Sequence, residues 1–339
     1  MTQLNALLVG AGAMGRAWAK NLHDCGDVTL ASWIDIQTGQ AARAPGELGL
    51  DVPHAGEDLE RALVEVCPDF VVDVTVPEAH HDVTITALRA GVPVLGEKPM
   101  ADSLERARAM VAASEATGKL YMVSQSRRYD PRLQAFRCLI DDHIGPAGIL
   151  TADFFIGAHF GGFRDDMAHV LLLDMAIHTF DAARYLLGDS DPVAVYCEEH
   201  NPPWSWYRGA ASATALFELA GGVRYTYRGS WCSEGRHTAW DSEWRAVGPR
   251  GTATWDGRSA PLADVVAARG GFHSTFDTIV ADGAPGMPEG IAGSLRDFLH
   301  ALKTGATPMG ECHDNIKSLA MVFGAIESAE TGRRVAIRW

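Results

Sequence analysis

The 339-residue sequence lacks long hydrophobic runs and an excess of basic residues. No apolar run approaches the roughly 18 residues of a membrane-spanning helix. The chain enters a predicted strand directly after Met1-Thr2-Gln3, without a basic segment, so we expect no secretory signal. Acidic residues outnumber basic ones by 43 to 29, giving a formal net charge of −14. Because nucleic acids and anionic membranes bind basic surfaces, we expect neither as a partner.

Cysteine pairs and repeats are also missing. The six cysteines are scattered, with no C-x-x-C spacing, which is typical of reduced, mostly buried thiols in a cytoplasmic protein. The adjacent His80 and His81 do not share a helix face, and no third ligand is evident. The sequence therefore predicts no metal site. No internal repeat or low-complexity segment divides the chain.

The composition and the order of apolar segments predict two domains. A hydrophobic content of 47% with 21% charged residues is typical of globular proteins, and the length exceeds what one core usually supports. Residues 4–123 alternate short apolar strands with helices, including one from Asp82 to Ala90, as in a doubly wound parallel sheet. The pattern changes near Val123. We predict a Rossmann domain over residues 1–124 and an α+β domain over residues 125–339.

A glycine-rich turn follows the first predicted strand, Leu4 to Val9. The sequence Gly10-Ala11-Gly12-Ala13-Met14-Gly15 has G-x-G-x-x-G spacing between a strand and a helix. The first glycine makes the turn, the second admits a pyrophosphate, and the third allows close packing of helix on strand. The free amides at the helix start favour the phosphate charge. We predict that Gly10, Gly12, Ala13 and Met14 bind a dinucleotide.

The second predicted strand, Val28 to Ile34, ends at Asp35, about 20 residues after Gly15. A carboxylate at this place binds the adenosine ribose hydroxyls. Residues 36–38 supply no cation for a 2′-phosphate, so NAD is favoured over NADP. The alternative is that Asp35 merely caps the next helix, predicted from Thr38 to Ala44.

The tripeptide Glu97-Lys98-Pro99 ends the predicted strand Val92 to Leu95. Side chains just past the carboxyl end of such a strand face the ligand crevice. A half-buried lysine beside a cofactor can exchange protons near neutral pH, and Pro99 restricts the backbone around it. The alternative is a solvated turn between a strand and a helix.

In the second half, a helix predicted from Val170 to Leu187 contains Asp174 and His178. On an α-helix these residues lie one turn apart on one face, where the carboxylate can orient the imidazole as a base. The alternative is a purely structural pair. Another helix is predicted from Pro131 to Asp142.

The chain becomes rich in strands from Val193 onward, which predicts an open, mostly antiparallel sheet. The alternation of Arg224, Thr226 and Arg228 puts polar groups on one of its faces, and Gly221-Gly222 makes a hairpin turn. The predicted strands are residues 193–197, 213–219, 223–231, 243–247 and 251–255.

These motifs, in this order, resemble those of the Gfo/Idh/MocA family of nicotinamide-dependent oxidoreductases, over essentially the whole chain. The matching residues are the glycine-rich turn 10–15, Thr75-Val76-Pro77 with His80, Glu97-Lys98-Pro99, Ser126-Arg127-Arg128-Tyr129-Asp130-Pro131 and Asp174-Met175-Ala176-Ile177-His178.

The resemblance implies roles for these residues. Thr75, Pro77, His80, Glu97 and Lys98 would line the cofactor site, and the C-terminal sheet would form a homodimer or homotetramer interface. In catalysis, His178 would accept a proton, Lys98 would bind the substrate hydroxyl and relay its proton, and Asp174 would position the substrate. Arg127 would join these three groups in binding the substrate.

We therefore expect an NAD-dependent dehydrogenase of a sugar or cyclitol, most similar to the inositol dehydrogenase branch. Two alternatives stay open. One is an NAD-dependent glycosidase that oxidises its substrate transiently, and the other is a non-enzymatic sensor of NAD and sugar, because fold alone does not determine function.

Overall fold

The structure, a computed structural model, describes residues 3–281, 283 and 288–339. The chain forms two compact units. The first contains Met1–Ser126 and Gly290–Ile316, and the second contains Arg127–Glu289 and Lys317–Trp339. The predicted domains, 1–124 and 125–339, stay a prediction; the compact units also assign the segment 290–316 to the first.

The first unit begins with a six-stranded parallel sheet in the order β3-β2-β1-β4-β5-β6, as the sequence predicts. The central strands are continuous apolar runs buried on both faces, which is typical of parallel sheets covered by helices. The elements are β1 (Leu4–Val9), α1 (Ala13–Asp24), β2 (Val28–Ile34), α2 (Gln40–Leu48), β3 (His54–Gly56), α3 (Leu59–Val66), β4 (Phe70–Asp73), α4 (Pro77–Arg89), β5 (Val94–Gly96), α5 (Leu104–Thr117) and β6 (Tyr121–Val123).

Local capping explains where several of these helices begin. The side chain of Asp58 accepts a hydrogen bond from the Arg61 amide and caps α3, and Ser103 caps α5 in the same way. Helix α4 begins at Pro77, five residues before the predicted start at Asp82. The prediction was wrong here because a proline at the first helical position starts a helix rather than ending the preceding loop.

The remaining elements include a nine-stranded sheet in the second unit, in the order β14-β13-β12-β11-β7-β10-β9-β8-β15. Among the described pairs, only β7 with β10 is parallel, so the predicted open, mostly antiparallel sheet is confirmed. The elements are α6 (Pro131–Cys138), β7 (Ile149–Phe155), α7 (Ile177–Leu186), β8 (Pro192–His200), β9 (Ser212–Leu219), β10 (Arg224–Ser230), β11 (Glu243–Gly248), β12 (Gly251–Trp255), β13 (Leu262–Ala268), β14 (Thr275–Val280), α8 (Gly290–Thr304), α9 (Cys312–Thr331) and β15 (Val335–Ala336), with α8 and the start of α9 in the first unit.

The two faces of this sheet differ as the alternation in β10 predicts. Tyr225 and Tyr227 are fully buried, whereas Arg224 and Arg228 on the other face are exposed. Helix α7 covers the buried face, where Phe180 packs edge-on against Tyr227 with ring centroids 5.2 Å apart. The sheet therefore keeps one open face and uses the other to hold α7.

Two predicted α-helices contain π-helical turns instead. Leu139–Ile144 is π-helical after α6, and Leu171–Ala176 is π-helical before α7. The prediction of uniform α-helices was wrong there because one extra residue in a turn leaves no mark on a short apolar pattern. Such turns are common at functional sites, and the second one contains Asp174.

Among the described residues, no helix is both long and apolar enough to cross a membrane.

Candidate active site

The glycine-rich turn has the geometry that a dinucleotide needs. Gly10 has φ +103, and a Cβ there would lie 2.7 Å from the Val74 carbonyl oxygen. A Cβ on Gly15 would lie 2.1 Å from the Gly10 carbonyl oxygen, so the helix packs too closely for any side chain. At Gly12, in contrast, a Cβ would find no described atom within 4 Å. The three glycines thus provide the turn, the close packing and the open cradle for a ligand that the spacing predicts.

The start of α1 fits a phosphate group. Gly12, the residue that caps this helix, offers no side-chain acceptor, and the first turn contains no acidic residue. Gly12, Ala13 and Met14 are all exposed. The first amides of α1 are therefore available to an anion at the positive end of the helix dipole.

Asp35 is fixed beside this turn. Its Oδ2 accepts a hydrogen bond of 2.7 Å from the Ala11 amide, and its Oδ1 accepts one of 2.8 Å from the Gln37 amide. The alternative role as a helix cap is wrong, because α2 begins at Gln40 and is capped by Gly39. The two amides hold the carboxylate oriented at the carboxyl end of β2, where further lone pairs can accept ribose hydroxyls.

The end of β4 contains a buried polar cluster around Asp73. Its Oδ1 accepts hydrogen bonds from the Thr75 hydroxyl at 2.6 Å and the Thr75 amide at 3.1 Å, and its Oδ2 lies 3.1 Å from His80 Nδ1. Burial alone would lower the pKa of His80, but the Asp73 carboxylate, together with the charges of Glu97 and Glu78, outweighs burial and raises it. The His80 side chain is only 2% exposed, so little of its ring is open to a cofactor. Thr75 and Pro77 remain partly exposed.

Glu97 connects the lysine turn to helix α1. Its Oε1 accepts a buried hydrogen bond of 2.8 Å from Trp18 Nε1, and its Oε2 accepts one of 3.1 Å from the Lys98 amide. Burial raises the pKa of Glu97, and the Trp18 hydrogen bond and the Lys98 charge oppose this rise. Glu97 is buried and Lys98 is partly exposed. The glutamate therefore positions the turn, and the lysine is the group of this pair that can meet a ligand.

These side chains lie along one edge of the parallel sheet. β1, β4 and β5 are neighbours, so their carboxyl ends place the Gly10 turn, Thr75 and Lys98 side by side. Adjacent strands are about 4.8 Å apart, which separates β1 from β5 by about 10 Å. The strand order reverses between β1 and β4, and ligands of open α/β sheets bind at such a switch point.

In the second unit, Asp174 and His178 are polar, partly exposed positions in a largely buried helical segment. Arg164 pairs with Asp174 through two hydrogen bonds, Nε to Oδ2 at 2.8 Å and Nη2 to Oδ1 at 3.2 Å. The guanidinium also lies 4.8 Å from the ring centroids of both Phe160 and Phe163. This bidentate pair orients both oxygens of the aspartate.

Arg127 lies next to the same segment. Its Nη2 contacts the Met175 sulfur at 3.4 Å, and its Nε lies 3.4 Å from Asp241 Oδ1. Burial lowers the pKa of Arg127 despite the Asp241 charge. Its Nη1 is buried and has no hydrogen-bond partner among the described residues. Arg127 therefore has a donor left for a ligand.

Some of the predicted site residues lie in the first unit and the others lie in the second. The structure also shows hydrogen-bond and ion-pair partners of these residues that the sequence did not predict. These are Trp18 for Glu97, Asp73 for His80, Arg164 for Asp174 and Asp241 for Arg127. Only Arg164 had a sequence signal, since it lies ten residues before Asp174 and shortly after Gly161-Gly162. The other three partners are linked to their residues only through the fold.

Two protein-family models match this chain. The model of an oxidoreductase family with an NAD-binding Rossmann fold matches residues 4–125, and that of the Gfo/Idh/MocA C-terminal domain matches residues 105–254.

Two curated relatives match along nearly the whole chain. D-apiose dehydrogenase of Paraburkholderia graminis is 28% identical, over 98% of this chain and 89% of its own length. scyllo-Inositol 2-dehydrogenase (NAD(+)) of Bacillus subtilis is 27% identical, over 99% and 96%.

Among solved structures, an oxidoreductase from Agrobacterium radiobacter in complex with NAD+, L-tartaric acid and magnesium has the same fold. Its TM-score is 0.86 at 22% identity, over 99% of this chain and 98% of that one. The family matches, the fold and the motifs agree with one another, and the chain belongs to the Gfo/Idh/MocA family of NAD-binding oxidoreductases.

Proposed function

We propose that the protein is an NAD-dependent dehydrogenase that transfers a hydride between the cofactor and a hydroxyl-bearing carbon of a sugar or cyclitol. The observation that carries this proposal is the alignment of the Gly10 turn, Thr75 and Lys98 along the carboxyl edge of three adjacent parallel strands. The substrate class is supported by the relatives named as dehydrogenases of D-apiose and scyllo-inositol.

The choice of NAD over NADP rests on Asp35. Its carboxylate is held by two backbone amides, and it would accept the ribose hydroxyls while repelling a 2′-phosphate. The neighbouring residues 36–38 carry no positive charge to compensate. The exposed Gly12, Ala13 and Met14 at the start of α1 would bind the pyrophosphate.

Each of the proposed catalytic residues has a separate role in the reaction. When bound, the nicotinamide supplies the hydride acceptor. His178 accepts the hydroxyl proton as the substrate is oxidised, because an imidazole can act as a general base. Lys98 binds a substrate hydroxyl and relays its proton, and Asp174 positions the substrate. The Glu97–Lys98 backbone contact keeps the lysine turn in place.

The donors and acceptors of the second unit favour a substrate with many hydroxyls. Asp174 is oriented by Arg164 and can still accept hydroxyl hydrogens, and Arg127 Nη1 needs an acceptor. A site built to hydrogen-bond hydroxyls rejects analogues without them, because its buried polar groups would stay unpaired. Turnover of cyclic polyols should therefore far exceed that of cyclohexanol.

The test is a panel of polyols, pyranoses and glycosides incubated with NAD, followed by nicotinamide absorbance and product analysis. Net formation of NADH from polyols or pyranoses is the expected result. Lys98→Ala should lower kcat at least about a hundredfold without changing NAD affinity in a fluorescence titration.

Other outcomes of the same panel contradict the proposal. Release of sugar from glycosides without net NADH would identify a glycosidase. Saturable binding of NAD and sugar without either reaction would identify a sensor. Equal efficiency on cyclohexanol and cyclic polyols would refute the polar substrate site.

We also propose that the protein is a homodimer or homotetramer that associates through the open face of the nine-stranded sheet. The strand register places exposed apolar residues on this face in two pairs, Tyr196 with Leu216 and Leu262 with Val280. Exposed apolar residues of this kind can be covered by a second copy of the chain. Light scattering should give a mass above 36.4 kDa that falls toward it in Leu216→Glu, and a monomeric wild type would contradict this proposal.

We propose a cytoplasmic location, because all six cysteines, which lie in described segments, are free thiols. Proteins of reducing compartments keep their cysteines in this form. Fractionation of the native host should recover the protein with cytoplasmic enzymes, and recovery outside the cytoplasm would contradict the assignment.

A further inference from the structure

Three potential metal ligands converge at the start of α9, within the first unit. Cys312 Sγ lies 3.0 Å from Glu311 Oε1 and 3.5 Å from His313 Nδ1, and these oxygen and nitrogen atoms are 2.7 Å apart. A thiol, an imidazole and a carboxylate thus present one triangular face. These are the ligand types that zinc prefers in proteins.

The cluster is held by the surrounding backbone. Glu311 forms an isolated antiparallel bridge with Met122 of β6, and the Val123 amide donates to the Gly310 carbonyl oxygen at 2.9 Å. The second oxygen of Glu311, Oε2, accepts from the His313 amide at 3.0 Å, which leaves Oε1 on the side of the cluster. The ligand atoms are therefore gathered before any ion binds, which lowers the entropy lost on binding.

A fourth residue completes the arrangement from a different helix. Glu115 near the end of α5 lies with its Oε1 3.0 Å from His313 Nε2, the ring nitrogen that does not face the cluster. Metal-binding histidines almost always bond their second nitrogen to a carboxylate or carbonyl in this way, which fixes the ring and strengthens the ligand. Glu115 therefore takes the role of an orienting partner rather than of a ligand.

We propose that Glu311, Cys312 and His313 form a binding site for a zinc-class divalent cation. Tetrahedral zinc, with bonds of about 2.3 Å to sulfur and about 2.0 Å to nitrogen, would hold these two atoms about 3.5 Å apart. The observed distance of 3.5 Å between Cys312 Sγ and His313 Nδ1 agrees with this. The Glu311 oxygen must move outward by about 0.5 Å, which a rotation of its side chain provides.

The fourth position would be taken by water or a small ligand that reaches the ion from the side of His313, which is half-exposed, because Cys312 is buried. The thiolate selects zinc or a similar ion over magnesium or calcium, which prefer oxygen ligands. This site uses none of the proposed catalytic residues, so a negative result for metal binding would leave the proposed function unaffected, and the reverse also holds. It also departs from the sequence prediction of no metal site, which considered only His80 and His81.

The test is a cobalt titration of the full-length, metal-free protein, because cobalt(II) reports a bound thiolate by charge-transfer absorption. We expect saturable binding of one ion per chain, with a charge-transfer band that zinc abolishes by displacement. Cys312→Ser should eliminate the band. His313→Gln should weaken binding at least tenfold, and Glu115→Gln should weaken it by about ten- to a hundredfold.

The matched control is Cys67→Ser, because Cys67 is an exposed thiol outside the cluster. That variant should keep the full band and affinity. His313 and Glu115 are both more than half exposed, so their replacement leaves the fold intact and keeps the test valid if Cys312→Ser proves unstable. Absence of saturable binding to the wild type would overturn the proposal. So would full affinity in His313→Gln, or a band that survives Cys312→Ser but not Cys67→Ser.

Discussion

Two buried tryptophans of the first unit offer a matched test of the glutamate that positions the lysine turn. Trp18 donates its indole hydrogen to the Glu97 carboxylate at 2.8 Å, and Trp33 donates to the neutral Gly10 carbonyl oxygen at 2.9 Å. Both side chains are 0% exposed. Replacing either by phenylalanine removes the same atoms, so the loss of packing is similar. The two variants then differ chiefly in the charge of the acceptor left unpaired.

The expected difference follows from typical hydrogen-bond energies. A neutral hydrogen bond contributes about 1 kcal/mol to stability, and one to a charged group contributes about 1.5–3 kcal/mol. Trp18→Phe should therefore lower the free energy of unfolding by about 0.5–2 kcal/mol more than Trp33→Phe. Urea denaturation followed by circular dichroism measures this difference from the two midpoints.

The difference in unfolding free energy between the two variants should also become smaller as the pH falls. Burial raises the pKa of Glu97, and the Trp18 hydrogen bond opposes this rise, so Trp18→Phe raises the pKa of Glu97 further. The extra loss of unfolding free energy in Trp18→Phe is therefore complete at pH values above the pKa of Glu97 in that variant. It disappears as the pH falls through the pKa of Glu97 in the wild type, where the carboxyl is protonated. Equal losses in both variants at every pH from neutral to alkaline would refute the reasoning.

Three further predictions concern the cofactor, the base and the buried histidine. The wild type should prefer NAD in kcat/KM, and Asp35→Ser combined with Ile36→Arg should narrow or reverse that preference; equal use of both cofactors by the wild type would contradict it. His178→Ala should lose about 10²–10⁴-fold in kcat with NAD affinity nearly unchanged, and a wild-type rate would remove His178 from the mechanism. Asp73→Asn should lower the pKa of His80 below that of free histidine, because burial then dominates. NMR titration measures the pKa of His80, and the same pKa in the variant and the wild type would refute the pairing. Since the pKa of His80 is raised in the wild type, the pair's stability contribution should be complete below pH ~6.5 and lost as the pH rises through the pKa of the folded state.

The parts of the fold that the sequence predicted are those with strong local patterns. The bounds of β1, β2 and β12 agree with the predicted ones, because each is an apolar or alternating run between turn residues. β13 and β14 were missed because most of their side chains are exposed and no alternation marks them. β3 is only three residues long and contains no strand-forming residue type.

In the candidate site, too, only the features with a strong local pattern could be predicted from the sequence. The glycine-rich turn and Asp35 depend on spacing within one strand–turn–helix–strand segment, so the sequence contains the whole pattern. The pairs of Trp18 with Glu97 and of Arg127 with Asp241 bring together residues from distant parts of the chain, and nothing in the local sequence specifies such partners. The π-helical turn at Asp174 likewise leaves no mark on the apolar pattern of its segment.

The route of the chain from β7 to β8 has a consequence for how the segment that contains Asp174 and His178 can vary in length during evolution. β8 runs in the same direction as β7 but lies beyond β10 and β9 in the sheet, so the connection must cross a whole face rather than turn back tightly. Residues 156–191 make this crossing and contain both Asp174 and His178. The sheet therefore requires a long segment here whatever its detailed sequence. Lengthening the loop at 156–170 twofold would cost only about 0.6 kcal/mol, so loops of new length can arise in this segment while every strand keeps its register.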